Sequence, residues 1–198
     1  MSDAKLANRP AGLHPLLRGR WSPRAFSAKA IDPATVTRLL EAAQWAMSSY
    51  NGQPWRIVYA TKDDVAAYER IFSTLVPFNQ SWAISAPMIG ISVGRTHFEH
   101  NGEPNSWSAY DTGAAMALLS VQAEAEGLHV HQMAGFDGAK AKEVLAIPDG
   151  YHPIAAFVVG YLGDAATLPE QLRERELQQG QRKALADIAF KGTWGQSS

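Results

Sequence analysis

Apolar and polar positions divide the chain into alternating helical and strand-like stretches. Asp32 followed by Pro33 is a helix start: a capping carboxylate precedes a residue whose fixed φ suits the first turn. Val36, Leu39, Leu40, Ala43 and Met47 then recur at helical spacing and mark one apolar face. Trp55 to Ala60 reads as a strand. A second helix opens at Asp63 and runs through Val76, where Pro77-Phe78-Asn79-Gln80 breaks it. Pro87 to Val93 is a second strand, apolar enough to be buried. Residues 95–106, rich in Gly, Asn, His and Pro, form a loop that could cover a site.

A long helix is expected over Trp107 to Glu126, with Gly127 in the C-cap role. Its small residues Gly113, Ala114, Ala115 and Ala117 would let another helix approach closely. Leu128 to Met133 is a strand, Ala134 to Asp137 a turn, and a short helix covers about Ala139 to Ala146. Ile154 to Tyr161 is the most hydrophobic strand and should sit centrally. After Asp164 the composition shifts to Glu, Gln and Arg, with a helix over Pro169–Gln179 and an extended segment over Ala184–Phe190. That tail has too few apolar residues to pack alone and is expected to embrace a partner subunit. Residues 1–19 read as an irregular arm or short helix. The alternation predicts one domain over residues 1–198, an α/β or α+β layering of helices on a single sheet, with the tail from about residue 165.

Composition narrows the chemistry. The 198 residues are 46% hydrophobic and 19% charged, a globular balance with enough chain for a real core. Eighteen basic against nineteen acidic residues leave a formal charge of -1, which gives no electrostatic reason to expect nucleic acid or an anionic membrane as partner. The absence of cysteine excludes disulfides, a thiolate nucleophile and cysteine-ligated metal centres. The N-terminus lacks the apolar core of a signal peptide, and the longest apolar run, Ile154 to Leu162, is far short of the ~20 residues of a membrane helix. A cytoplasmic location is expected.

Two polar clusters stand out. Met47-Ser48-Ser49-Tyr50-Asn51-Gly52-Gln53-Pro54-Trp55 joins a helix to a strand and holds two carboxamides in a turn stiffened by Pro54. Amides that donate and accept together suit the edge of a polar heterocycle. Upstream, Arg20, Ser22 and Arg24 alternate along an extended segment, so two guanidinium forks and a hydroxyl converge, as a phosphate requires. Arg182-Lys183 adds a second basic pair. Loop formers and solvated arginines account for each cluster taken alone.

Other motifs fail on context. Gly90-Ile91-Ser92-Val93-Gly94 spells a nucleophile elbow, but Ser92 lies inside a strand and no helix follows it. His129 and His131 share a strand face without acidic partners at metal-binding spacing, so no metal site is expected. No glycine-rich dinucleotide fingerprint or P-loop is present.

Taken in order, the pieces resemble the FMN-dependent nitroreductase family. The matching text is Arg20-Trp21-Ser22-Pro23-Arg24-Ala25-Phe26 and then Ser48-Ser49-Tyr50-Asn51-Gly52-Gln53-Pro54-Trp55. Phe78-Asn79, Ser85-Ala86-Pro87, Tyr110-Asp111-Thr112-Gly113 and Gln132-Met133-Ala134-Gly135-Phe136 follow, and Arg182-Lys183 with Trp194-Gly195 completes the set. The resemblance implies an α+β, three-layer α/β/α fold with a mixed central sheet and a C-terminal tail wrapping the partner subunit. It implies a homodimer with two tightly bound FMN, each held by both chains. Arg20, Trp21, Ser22, Arg24, Arg182 and Lys183 would hold the phosphate, ribityl and pyrimidine parts, and Asn79 the polar edge. Ser48, Ser49, Asn51 and Gln53 would come from the other subunit, and Gln132, Met133, Ala134 and Gly135 would face the ring near N5. The sequence departs from the family pattern at Met47, Trp82 and Ala134.

The implied activity is ping-pong reduction of an electron-poor acceptor, such as a nitroaromatic, quinone or enal, with NADH or NADPH as transient donor. No catalytic side chain is required, and Trp107 and Tyr110 are candidates to line the acceptor pocket. The alternatives are a flavin-storing protein without turnover, or dehalogenation or desaturation on the same scaffold.

Overall fold

The second strand, Met88–Arg95, is buried on both faces along almost its whole length, because its neighbours in the sheet and helices above and below leave it no solvent side. A computed structural model describes residues 9–196 of the chain. The expectation for residues 1–19 therefore lies partly outside the described residues; Pro15–Gly19 forms a short helix, α1, with Pro15 in its first turn.

Helix α2 spans Pro33–Gln44 and is capped by Asp32, whose side chain accepts from the Thr35 N–H at 3.0 Å. Val36, Leu39 and Ala43 face the core as their spacing predicts, but the helix ends before Met47, which is 68% exposed. Strand β1 is Trp55–Thr61 and β2 is Met88–Arg95. Between them Asp64 caps α3, Val65–Phe72, and a second helix, α4, runs from Pro77 to Ala83. The helix expected to run through Val76 ends at Phe72, so Pro77 begins a helix and ends none. It stands where no intrahelical N–H bond is owed.

The long helix α5 covers Ser108–Ala125, and Gly127, at φ +71°, takes the left-handed turn that ends it. Strand β3 is His129–Met133, α6 is Gly138–Val144, β4 is Tyr151–Gly160 and α7 is Glu170–Leu177. Strand β4 starts before the expected Ile154, because a bulge opposite Ser92 and Val93 accommodates Pro153, which has no N–H for the ladder. The expected extended segment near Ala184 is instead a short 3-10 turn over Leu185–Asp187.

The strands pair in the order β1-β2-β4-β3. Every ladder is antiparallel, where a mixed sheet was expected; a parallel pair would need a strand beyond these four. The α+β, three-layer architecture is as expected, because alternate strand residues feed two separate cores. Ile89, Ile91, Ala156 and Val158 pack with Tyr68, Ile71, Trp82 and Leu172 on one face. Met88, Phe157 and Val159 pack with Leu39, Met116 and Leu119 on the other. Gly90 lies opposite Phe157, and a Cβ there would come 2.4 Å from the ring. Ser92 is buried and donates to the Ala155 carbonyl at 3.1 Å, so the apparent nucleophile elbow is strand packing.

The first part of the tail packs on its own chain: Leu168 and Leu172 are buried in the core on the α3, α4 and α7 side of the sheet. Beyond it the apolar residues are uncovered, with Leu185 71%, Ile188 63% and Trp194 88% exposed.

Candidate functional site

The loop from Arg20 to Arg24 leaves α1 and crosses towards the tail, and distant side chains pin its backbone. Arg9 Nη1 donates to the carbonyl of Arg20 at 2.8 Å and also to that of Arg18. His131 Nδ1 lies 2.7 Å from the Pro23 carbonyl; a carbonyl only accepts, so this nitrogen carries the proton. The Glu176 carboxylate takes the N–H groups of Arg24 and Ala25 at 3.0–3.1 Å.

Arg9, Arg20 and Arg182 crowd together around a cleft of about 820 Å³, which Lys183 also lines. Burial and then the Arg182 guanidinium push Arg20 below the ordinary arginine value, with the Glu124 carboxylate opposing them. Burial, Arg20 and Arg182 do the same to Arg9. Like charges held close lower each other's affinity for the proton, and a polyanion in the cleft would relieve them. Ser22 is exposed, while Trp21 is half-buried with its ring edge-on to His129 at 6.2 Å.

Arg24 is half-buried, and its guanidinium carbon lies 5.9 Å from the centre of the Trp82 ring. The Arg24 Nε and Trp82 Nε1 N–H groups are both buried without a hydrogen-bond partner in the chain. Two such donors side by side are costly unless something accepts from them. Trp82 also lies against His131, their ring centres 4.5 Å apart. Burial, more than the nearby Arg24 charge, pushes His131 down to about 4, so the imidazole is neutral at ordinary pH.

Next to this pair, the turn after β3 is held by Asn79, whose Nδ2 donates to the Gly135 carbonyl at 2.9 Å. A Cβ at Gly135 would lie 2.5 Å from that nitrogen and 3.0 Å from Val76 Cγ2, so only glycine lets α4 approach the turn. Gln132 and Ala134 are exposed, but the Met133 side chain is buried in the core and offers a ligand only its backbone.

Ser48, Ser49, Asn51 and Gln53 lie elsewhere. The Ser49 N–H donates to buried Asp111 Oδ2 at 3.1 Å, and the Gln53 N–H to Ser48 Oγ at 3.0 Å. Tyr50, Asn51 and Gln53 have φ of 54°, 53° and 43°, three non-glycine residues in the left-handed region within four positions. Such strain persists only where the surroundings impose it. Asp111 belongs to the first turn of α5, whereas Glu124, whose carboxylate fills the space a side chain at Gly19 would need and which faces Arg20, belongs to its last. Thirteen residues of helix separate the two contacts by about 20 Å. One chain therefore joins the arginine cluster to the Trp82–Gly135 region but holds the amide turn at the other end of α5.

Arg9, His131 and Glu176 were not foreseen as parts of this site. Glu176 sits in a run of charged residues that nothing in the sequence singles out, and His131 suggested only a metal. His129 meets Glu124 instead, at 3.0 Å.

The model of the nitroreductase family matches residues 17–88 and 73–161, a range that holds all of these elements but the tail and Arg9. The chain belongs to the nitroreductase family. Among similar solved structures is one described as an oxidoreductase containing FMN, 37% identical, with a TM-score of 0.91 over the whole of both chains. An uncharacterised 15.4 kDa protein of Mycolicibacterium smegmatis is 43% identical over 89 residues, 45% of this nitroreductase-family chain and 60% of its own length. A Streptomyces coelicolor protein provisionally named NADH dehydrogenase/NAD(P)H nitroreductase is 27% identical over 158 residues, 69% of this chain and 76% of its own.

Proposed function

We propose that this nitroreductase-family chain is an FMN-dependent oxidoreductase that acts as a homodimer, takes reducing equivalents from NADH or NADPH and passes them to an electron-poor acceptor. The observation that carries the reading is the pairing of a crowded arginine cluster with two unpartnered buried donors, Arg24 Nε and Trp82 Nε1. An anionic phosphate fits the first and the acceptor atoms of a flavin fit the second, so the residues present suit the cofactor. FMN, when bound, supplies two-electron chemistry that no side chain here could provide.

The chain's own contribution is placement. Arg20 and Arg182 would hold the phosphate, with Ser22 and Lys183 beside them. Arg24 would lie at the polar edge and favour negative charge there on reduction. Asn79 fixes the turn at Gln132–Gly135 so that its backbone can face the ring. Ser48, Ser49, Asn51 and Gln53 would reach the cofactor of a second copy, since α5 holds them too far from the arginines of their own. The exposed face of α5 supports this dimer: Tyr110, Gly113 and Ala117 are uncovered and carry no charge. Residues beyond Gln178, with Leu185 and Ile188 outward, would complete the embrace.

The test is the visible absorption spectrum of the purified, tag-free protein before and after anaerobic NADH or NADPH. Flavin bands that bleach are expected. Bands that persist would favour flavin storage, and a colourless protein that refuses added FMN would overturn the reading.

A further inference from the structure

Glu176 is 4% exposed, although it lies in Glu170–Leu177, a helix whose other acids and bases face outward. A buried carboxylate is costly unless its oxygens are bonded. Here Oε1 accepts from the N–H groups of Arg24 and Ala25, both at 3.1 Å, and Oε2 from Arg24 at 3.0 Å. Leu172, one turn earlier, is anchored in the core, so the carboxylate is presented from a fixed base. Six residues further on comes Arg182, beside Arg20. One short stretch of tail therefore meets both ends of the Arg20–Arg24 loop.

We propose that Glu176 is a positioning residue for the flavin site: it clamps the backbone at Arg24 and Ala25 so that the Arg24 guanidinium stays beside Trp82 with its Nε free for the cofactor. This rests on the FMN reading above. The clamp is chemically apt because adjacent amides of an open loop have no ladder to satisfy them, and a carboxylate accepts from both. Its effect on binding runs through Arg24. Reduction puts negative charge on the ring edge that Arg24 faces, so a displaced Arg24 costs the reduced cofactor more than the oxidised one.

The experiment compares wild type, Glu176→Gln, Arg24→Ala and the double variant, each reconstituted with FMN. Glu176→Gln keeps the shape but offers the two amides one acceptor oxygen in place of two. It is expected to weaken FMN about tenfold, and to weaken reduced FMN about tenfold more than oxidised. That ratio corresponds to a midpoint potential about 30 mV more negative. In the Arg24→Ala background the same change should have little further effect. Additive losses would overturn the proposal, because Glu176 would then act independently of Arg24. A potential that stays in place would overturn it as well, and a shift to more positive values would mean that the carboxylate acts through its own charge.

Hydrogen exchange in flavin-free wild-type protein tests the clamp without a variant. The amides of Arg24 and Ala25 should be protected although they precede any strand pairing, and exchange at open-loop rates would overturn the clamp. A wild type that refuses FMN would overturn the flavin reading and the role together. Unchanged FMN affinity in Glu176→Gln would overturn the role alone.

Discussion

Asn79 and Gly135 are joined by a 2.9 Å hydrogen bond from the Asn79 amide to the Gly135 carbonyl, at a separation that leaves no room for a side chain on the glycine. The same carbonyl also accepts from the Val76 N–H at 3.1 Å, so the turn after β3 is tied twice to the start of α4.

From this contact, Asn79→Ala is expected to cost about 1 kcal/mol, the net worth of one hydrogen bond whose acceptor keeps another donor. Gly135→Ala should cost about 1–3 kcal/mol through overpacking. Because the intruding Cβ meets mainly Asn79, the glycine change should cost less in the Asn79→Ala background. Urea denaturation of the four proteins measures this coupling, and strict additivity would mean that the turn has moved away from α4.

His131 makes stability depend on pH. Its folded value lies near 4, below the ~6.5 of an exposed imidazole, so the unfolded chain binds the proton first. The stabilisation is complete above about pH 6.5 and is lost as pH falls towards 4, by about 3 kcal/mol at most. Thermal melts of wild type and His131→Asn between pH 7.5 and 4 should show the wild-type advantage shrinking on acidification. A constant difference would place the imidazole in a more hydrated setting.

The tail divides at about Gln178. Ending the chain after Gln178 keeps Leu168, Leu172 and Glu176 in place and should give folded monomer on sizing chromatography. Ending it after Asp164 removes two core leucines, each worth about 2–5 kcal/mol, and should give aggregate. A well-behaved dimer from the longer truncation product would show that the α5 face pairs the chains without residues 179–198.

Arg20 and the phosphate give a ligand-based test. If Arg20 grips the phosphate, Arg20→Ala should weaken FMN by about 10–100-fold, the worth of a charge-assisted bond, and leave riboflavin nearly untouched. Equal losses for both, measured by quenching of flavin fluorescence, would remove Arg20 from that role.

Much of this architecture was legible because it is written locally. Asp32-Pro33 and Gly127 announce the helix limits they form, and the runs at Trp55, Pro87 and Leu128 become strands. Pro77 misleads because a proline that cannot continue a helix can begin one, and the preceding helix has already ended at Phe72. Met47 completes a helical pattern that the chain abandons after Gln44, before the strained turn that starts at Tyr50. That Arg20 and Arg182 share one cleft follows from charge and from the order of the motifs. The role of Glu176 does not, because its burial depends on where α7 lands, 152 residues after the amides it holds.

The placement of Ser49 against Asp111 and of Gly19 against Glu124, at opposite ends of α5, has a genetic consequence. If the proposed dimer forms, a lesion at Arg20 and a lesion at Asn51 would damage the same site from different polypeptides. Two inactive alleles carrying one lesion each should therefore complement when co-expressed. Every mixed dimer would hold one site with both faults and one with neither, so half of its cofactor positions would return to full strength.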